Sequence, residues 1–234
     1  MAIGRRLDWK RLGQNHPDMK LKRLPTFAFV CALMSATSFV FPGHATEPDR
    51  AAEVRPVRVL VACYSLTGNT DKMAAGVVEG IKRVAGVEGI LKKVEEIVKA
   101  DLESADGIIL GCPTYYGNIP GKMKVVIDDW SWKMKVDFTD KVGGAFSTGG
   151  GQTGGKEFVV LSLLTFMLDN RMVVAGPLYK NERTGSVWGE VGASATTGPL
   201  DPGVSEAELD AARRLGERVA RLAAKLREKL KTES

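Results

Sequence analysis

The sequence predicts an α/β protein built on a doubly wound parallel sheet. Short apolar segments rich in β-branched residues alternate along the chain with longer segments whose apolar residues recur at helical spacing. Polar segments that contain glycine directly follow three of the predicted strands, where sheets of this class bind their ligands. The chain has 234 residues, of which 44% are hydrophobic, so it can bury a substantial core and is not wholly disordered.

Five segments are predicted to be strands because they are short, apolar and bounded by turn residues. They lie at residues 57–63, 87–94, 106–111, 141–147 and 172–175. The first is apolar throughout apart from Arg58, as expected for a strand that is buried on both faces. The second carries more charged residues, and we expect it to be less buried.

Three helices are predicted from the spacing of their apolar residues, at residues 70–84, 122–130 and 156–168. Residues 177–204 are rich in glycine and proline and lack a clear period, which predicts a long loop. A final helix begins at Ser205 with a capping box, since Glu208 follows three residues later. Its predicted buried stripe consists of Ala212, Leu215, Val219, Leu222, Leu226 and Leu230.

The net charge of +5 comes from the first 45 residues of the chain. This segment carries seven basic and two acidic side chains, whereas the remaining 189 residues carry 26 of each. The folded part is therefore neutral. The basic composition gives no argument for nucleic-acid binding, and we expect no nucleic-acid partner.

Residues 1–45 have the pattern of a secretory leader. Lys20 and Arg23 precede an uncharged stretch over residues 24–41, and small residues stand before a cleavage point after Ala45. An uncleaved membrane anchor is the competing interpretation, because the apolar run is close to the roughly 18-residue lower limit for a span. Either interpretation predicts that the domain is exported to the periplasm or the exterior, with membrane contact only through an uncleaved leader.

The leader has a second candidate start at Met19, just before its basic residues. After the leader we expect a linker over residues 46–56 and one folded domain over residues 57–231. Cys63 and Cys112 fall in predicted strands, where a free cysteine is usually a small buried hydrophobic residue. A disulfide between them is permitted in an oxidising compartment, but the sequence does not determine it. The chain has no Cys/His cluster, so no metal site is expected.

The segment after the first strand has the residues of an anion-binding loop: Ser65, Leu66, Thr67, Gly68, Asn69 and Thr70. Its hydroxyl and amide groups are neutral donors, its glycine permits close backbone approach, and a predicted helix begins directly after it. The loop lacks the lysine of a nucleoside-triphosphate loop, the Cys-x5-Arg spacing of a phosphatase and the three glycines of a dinucleotide fingerprint. What remains is a site for a monoester phosphate, with an ordinary capped turn as the alternative.

Two further segments follow the third and fourth predicted strands. They are Pro113, Thr114, Tyr115, Tyr116, Gly117 and Asn118, and then Ser147, Thr148, Gly149, Gly150 and Gly151. In this order, the three segments resemble the phosphate loop, the flavin-ring loop and the third loop of the flavodoxin superfamily, in its WrbA-type branch of NAD(P)H:quinone oxidoreductases. Gly192-Ala193-Ser194 is similar to a further short segment of the branch, and the resemblance covers about residues 57–225.

This resemblance implies a flavodoxin-like sheet of five parallel strands in the order 2-1-3-4-5, with helices on both faces. It also implies FMN as the cofactor. Its phosphate would lie on the loop from Ser65 to Thr70, and its ring would be bordered by residues 114–116 on one side and 147–151 on the other. Trp132 would shape the entrance where the quinone stacks. Ordinary packing or a surface position is the alternative for the aromatic residues.

By the same resemblance, the chain is an NAD(P)H dehydrogenase that reduces a quinone or another small-molecule acceptor by hydride transfer through flavin N5. The chemistry belongs to the cofactor, so no catalytic side chain is nominated. The sequence is compatible with a homo-oligomer. Two alternatives remain open: a flavodoxin-like electron carrier without NAD(P)H turnover, and a flavin-binding module without turnover. Carriers are usually strongly acidic, unlike this neutral domain, whereas export separates an enzyme from cytoplasmic NAD(P)H.

Overall fold

The computed structural model has a parallel sheet with helices packed on both of its faces. The structure describes residues 55–178, 191–198 and 203–233. The predicted leader over residues 1–45 and most of the predicted linker lie outside these ranges. The chain divides into two units, Met1–Ala51 and Ala52–Ser234, and every described residue belongs to the second unit.

The described elements alternate along the chain as the sequence predicts. The strands are β1 Val57–Cys63, β2 Val87–Lys93, β3 Gly107–Pro113, β4 Val142–Gly149, β5 Val173–Val174 and β6 Ala193–Thr196. The helices are α1 Asn69–Ile81, α2 Lys99–Ser104, α3 Gly121–Trp132, α4 Lys156–Asp169 and α5 Glu206–Glu233, with a short 3-10 turn at Val94–Glu96.

All of the strand pairs are parallel, and the main path runs β2-β1-β3-β4-β5, which confirms the order implied by the resemblance. β1, β3 and β4 occupy the interior of the sheet and are almost entirely buried, which explains their continuous apolar sequences. β2 lies at the edge and has only half-buried and exposed residues, so the prediction that it is less buried is confirmed.

Alternate residues of each central strand point to opposite cores. Val59 and Val61 contact the core beneath α1 and α5, whereas Leu60 and Ala62 belong to the core beneath α3 and α4. Cys63 lies in the first of these cores and Cys112 in the second, both as free buried thiols, so the sheet separates the two sulfurs. Burial raises the pKa of Cys112 to about 12, and it also raises the pKa of Cys63.

The prediction of an uninterrupted loop over residues 177–204 is wrong, because β6 lies within it. β5 pairs with Val142 and Gly143, and β6 pairs with the stretch of β4 from Phe146 to Gly149. The two short strands therefore share the fifth position of the sheet. β6 reads Ala-Ser-Ala-Thr, without the large β-branched residues that identify a strand, and its pairing depends on close approach to β4. A Cβ at Gly192 would lie only 2.4 Å from the Ala145 carbonyl oxygen.

The long last helix also differs in part from its prediction. The capping box is confirmed: the Ser205 N–H donates to the Glu208 carboxylate at 2.8 Å, and the Glu208 N–H donates to Ser205 Oγ at 3.4 Å. Leu215 and Val219 are buried, but Leu230 is 41% exposed and does not continue the stripe. A helix of 28 residues spans about 42 Å and extends past strands of about 23 Å. None of the helices in the described ranges is both long and apolar enough to cross a membrane.

Candidate functional site

The three predicted loops meet on one rim, at the carboxyl ends of β1, β3 and β4. Thr70, the last residue of the first loop, lies 2.8 Å from Thr148 at the end of β4, hydroxyl to hydroxyl, and both side chains are buried. In the structure the third loop continues through residues 152–155 to the start of α4. It is in backbone contact with the second loop, since a Cβ at Gly155 would lie 2.7 Å from Gly117 Cα. The rim is therefore one continuous surface, held together by short-range contacts between its loops.

The first loop presents backbone N–H groups that are not used within the described part of the chain. Gly68 has φ +91° and is the N-cap of α1, and its own N–H donates to Ser65 Oγ at 3.2 Å. The N–H groups of Leu66, Thr67 and Asn69 donate to no acceptor in the described ranges. Together with the positive end of the α1 dipole, these groups form a site for an anion.

The loop itself contains no cation, and two lysines on neighbouring elements, α1 and β2, have other partners. Lys72 Nζ donates to the Val204 carbonyl at 3.4 Å, and Lys93 forms an ion pair with Asp71 on the first turn of α1. An anion on this loop would be held by neutral donors and by the helix dipole. This arrangement suits a phosphate monoester better than a triphosphate, whose larger charge normally requires a lysine.

The second loop makes a tight reverse turn at Tyr116 and Gly117. These residues have φ +51° and +78°, as in a type I′ turn, and Tyr115 and Asn118 exchange two backbone hydrogen bonds of 3.0 Å. Tyr116 is fully exposed at the tip, and Leu66 on the first loop is 69% exposed. Two large apolar surfaces thus extend from the rim into solvent on two of its loops.

The hydroxyls at the base of the second loop have defined directions. Ser147 Oγ donates to the Cys112 carbonyl at 2.9 Å and lies 2.9 Å from Thr114 Oγ1. Because Ser147 has a single hydroxyl proton, Thr114 is the donor in this second bond. The remaining lone pairs of Thr114 Oγ1 can then accept a hydrogen bond from a ligand. Tyr115 is a donor at neutral pH, since burial raises its pKa and the neighbouring Tyr64 raises it further.

The chain is similar in sequence and in structure to known flavoproteins. A family model described as NADPH-dependent FMN reductase matches residues 84–182. The NAD(P)H dehydrogenase (quinone) of Geotalea uraniireducens is 34% identical over 204 residues, which cover 73% of this chain and 99% of that protein. The flavodoxin of Aquifex aeolicus is 37% identical over 164 residues, covering 70% of this chain and 85% of that protein. The crystal structure of a WrbA-like flavodoxin from Agrobacterium tumefaciens aligns with a TM-score of 0.59 and 25% identity, covering 72% and 98% of the two chains.

This chain belongs to the WrbA-type branch of the flavodoxin superfamily. The match to the Geotalea relative spans nearly that whole protein. The fold brings the three loops named from the sequence to one rim.

Two polar residues that the family motifs did not identify complete the rim of this WrbA-type protein. Lys156, on the first turn of α4, is 3% exposed and extends beneath the third loop. Glu208, on α5, accepts hydrogen bonds from the N–H groups of Thr196 at 2.7 Å and Ser205 at 2.8 Å, and so ties the end of β6 to α5. The capping box is a sequence signal for Glu208, but no local pattern distinguishes a buried Lys156 from an exposed one.

Trp132 is the one predicted site residue that the structure does not bring to the rim. It ends α3, whereas the rim lies where α3 begins at Gly121, about 17 Å along the helix axis. Trp132 is 81% exposed and lines a groove between α3 and α4, together with Phe166 and Asn170. Within a single chain it is therefore not placed to shape the entrance of the site. The described ranges also contain no group of three or more residues arranged to hold a metal ion.

Proposed function

We propose that this chain is an FMN-dependent oxidoreductase that oxidises NAD(P)H and reduces a quinone. The observation that carries the proposal is the first loop, whose free N–H groups and helix N-terminus suit a monoester phosphate without a cation. The description of the matching family model as NADPH-dependent FMN reductase supports the cofactor. The relatives named NAD(P)H dehydrogenase (quinone) support the reaction.

The residues present on the rim fit FMN in both of its parts. Gly68 and Gly117 border open space, since an added Cβ at either position meets nothing within 4 Å. Leu66 and Tyr116 leave large apolar surfaces in water, and a flat heteroaromatic ring would cover such surfaces. Thr114 supplies an acceptor at the base of the same region, which suits a ring N–H group.

Bound FMN would supply the redox chemistry, as acceptor of a hydride from NAD(P)H and donor of two electrons to the quinone, with the second proton of the hydroquinone coming from solvent. The chain contributes binding and orientation. The first loop holds the phosphate end through its N–H groups, and the hydroxyl pair of Thr70 and Thr148 fixes the distance between that loop and β4. The turn at Tyr116 sets the position of the second loop by its two reciprocal backbone hydrogen bonds.

A one-electron carrier is the second candidate, favoured by the similarity to the Aquifex flavodoxin. The neutral charge of the chain beyond residue 45 disfavours it, because carriers of this kind rely on strong charge for steering to their partners. The two functions differ in how the bound flavin is reduced. A quinone reductase is expected to be reduced by NAD(P)H in one two-electron step, whereas a carrier is reduced by a partner protein in two separable one-electron steps.

The proposal is tested by titrating the purified chain with FMN, and then with NADH and NADPH, while recording the visible spectrum. We expect binding of one FMN per chain, bleaching by one equivalent of NAD(P)H, and recovery of the oxidised spectrum on addition of a soluble quinone. A protein that binds FMN but is not bleached by either nucleotide would favour the carrier. A protein that binds no FMN would contradict both functions.

We also propose that the leader over residues 1–45 exports the domain, on the evidence of its basic start, apolar middle and small residues near Ala45. An exported domain requires an electron donor outside the cytoplasm, and a membrane quinol or a partner protein would meet this need. Cell fractionation tests the proposal: we expect the chain in the periplasm or medium after cleavage. Its recovery in the membrane fraction would indicate the anchor, and recovery in the cytoplasm would contradict export.

For the oligomeric state, we propose that two copies associate through the outer face of α3 and α4. The large apolar residues exposed on this face are Val125, Trp132, Phe158, Leu161 and Leu168. Large exposed apolar residues grouped on one face mark a site of interaction, whereas single ones scattered over a surface do not. The adjoining charges are balanced in ion pairs, Lys124 with Asp128 and Lys133 with Asp129, which suits a protein partner better than an anionic membrane.

Light scattering tests this proposal with a matched pair of variants. Phe158→Glu is expected to convert a dimer into a monomer. Leu91→Glu changes an exposed apolar residue on the opposite edge of the sheet and is expected to leave the dimer unchanged. A monomeric wild type, or equal behaviour of the two variants, would contradict this interface, and vesicle binding abolished by Phe158→Glu would indicate a membrane surface instead.

A further inference from the structure

Lys156 is a lysine whose charge is buried beneath the third loop of the rim. Its side chain is 3% exposed, and its Nζ donates to the carbonyls of Gly151 at 2.5 Å and Gln152 at 3.2 Å, and to Thr196 Oγ1 at 3.1 Å. These three acceptors match the three donors of an ammonium group. The aliphatic stem lies against the end of β4, since a Cβ at Gly149 would be 2.9 Å from Lys156 Cγ. The ammonium is thus held firmly by the loop that it supports.

The charge of Lys156 has no carboxylate partner among the described residues. Each of the ion pairs in the described ranges uses another lysine or an arginine, and all three hydrogen bonds of Lys156 go to uncharged oxygens. Burying a cation without a counter-charge is unfavourable even when all of its donors are hydrogen-bonded. Because this cation lies next to the rim, the rim is suited to a ligand that carries negative charge or acquires it during the reaction.

The hydrogen bonds of Lys156 also determine where the loop amides point. In a planar trans peptide, the carbonyl of one residue and the N–H of the next point in opposite directions. Because the carbonyls of Gly151 and Gln152 point at the ammonium, the N–H groups of Gln152 and Thr153 point away from it. Neither N–H donates to an acceptor within the described part of the chain. The third loop therefore presents two free donors on the side away from the ammonium, and the cation behind them polarises both peptides.

We propose that Lys156 is a positioning residue that stabilises the reduced flavin over the oxidised flavin through the amides of Gln152 and Thr153. This inference rests on the proposed binding of FMN to the rim. Hydride transfer adds negative charge to the ring, and fixed donors aimed at developing charge stabilise the state that carries it. Lys156 lies beneath these peptides at the start of α4, and the two polarised amides directly follow Gly151, the last residue assigned to one edge of the ring.

The test is the two-electron midpoint potential of FMN bound to the wild type, Lys156→Met and Lys156→Gln. We expect both variants to lower the equilibrium constant for reduction at least tenfold, which corresponds to about 30 mV for a two-electron couple. Correspondingly, reduced FMN should lose at least tenfold more affinity than oxidised FMN in both variants. If Lys156→Met does not fold, Lys156→Gln alone provides the test.

Lys141→Met is the matched control. Lys141 is likewise held by carbonyls, those of Glu103 at 3.0 Å and Ala105 at 2.6 Å, but it precedes β4. It lies about 25 Å from the rim along that strand, well beyond the screening length at 0.1 M salt. The control is expected to keep the wild-type potential.

Each outcome decides between the two proposals. Wild-type potentials in both Lys156 variants would overturn the inference, as would an equal loss of affinity for oxidised and reduced FMN, which would indicate a charge acting on the phosphate. Failure of both variants to fold would show that the ammonium has a purely structural role and would also overturn it. A wild-type chain that binds no FMN would instead contradict the proposed function.

Discussion

Replacing Gly155 with alanine tests whether the contact between the second and third loops sets the shape of the flavin site. Gly155 has φ +91°, and a Cβ there would lie 2.7 Å from Gly117 Cα and 3.1 Å from the Gly117 carbonyl oxygen. Non-bonded carbons pack at about 3.5–4 Å, so the second loop must move by roughly 1 Å. The left-handed conformation adds about 1–2 kcal/mol for a residue with a Cβ, and the steric overlap adds a similar amount.

We therefore expect Gly155→Ala to reduce the free energy of unfolding by about 3 kcal/mol. A displacement of about 1 Å at a binding site costs up to a hundredfold, so we expect FMN affinity to fall at least tenfold. Urea denaturation of the apoprotein measures the first effect, and FMN fluorescence titration measures the second.

Gly86→Ala is the matched control for this variant. Gly86 also has a positive φ, +75°, but an added Cβ there meets nothing within 4 Å, and the residue lies in the turn before β2. We expect it to cost about 1 kcal/mol of stability and to leave FMN affinity unchanged. If Gly155→Ala binds FMN as tightly as Gly86→Ala, the contact between the two loops does not determine the shape of the site.

Three further predictions concern the core and the rim. Thr148→Val leaves the buried Thr70 hydroxyl without its partner and is expected to lower stability by about 2 kcal/mol in chemical denaturation, with weaker FMN binding. Burial favours a higher pKa for Asp101, but hydrogen bonds from Lys92 and from the Val98 N–H outweigh burial and lower the pKa. The ionised Asp101 carboxylate therefore stabilises the fold above about pH 4, and this stabilisation is lost as pH falls through the folded pKa. Asp101→Asn should therefore be about 1 kcal/mol less stable than wild type at neutral pH, and the difference should shrink in melts at about pH 3. Cys112, with a pKa raised to about 12 by burial, should resist thiol reagents in the native protein and react on unfolding; rapid native labelling would contradict its burial.

The central sheet and the rim could be predicted from the sequence because each of their elements has a recognisable local pattern of residues. A strand that is buried on both faces must be apolar throughout, and β1 shows this pattern directly. The carboxyl ends of parallel strands share one edge, so three polar segments after three strands had to meet there once the sheet formed. The contact between Thr70 and Thr148 is one result of that convergence.

The features that the sequence did not reveal depend on tertiary contacts. β6 has a sequence of small residues, and it is a strand because β4 lies beside it and Gly192 permits the close approach. α2 has six residues, too few for a helical period to be detected. Lys156 follows two glycines at the start of a predicted helix, a position where lysine is usually solvated, and only the packed third loop shows that it is buried.

The position of Trp132 shows a different limit of sequence reasoning. It is close in sequence to the second loop, but a helix of twelve residues separates the two and carries the tryptophan to the far end of α3. Proximity along the chain predicts proximity in space only where no regular element intervenes. Association through the face of α3 and α4 would bury Trp132 against a second copy, which makes its solvent exposure a probe of the oligomer.

Titration of the purified chain with FMN, followed by NAD(P)H and then a quinone, determines whether the rim is the flavin site of a quinone reductase. We expect a visible flavin spectrum at one FMN per chain, loss of the oxidised bands with one equivalent of NAD(P)H, and their return when the quinone is added. A chain that takes up no FMN at micromolar concentrations would contradict the assignment of the rim as a flavin site.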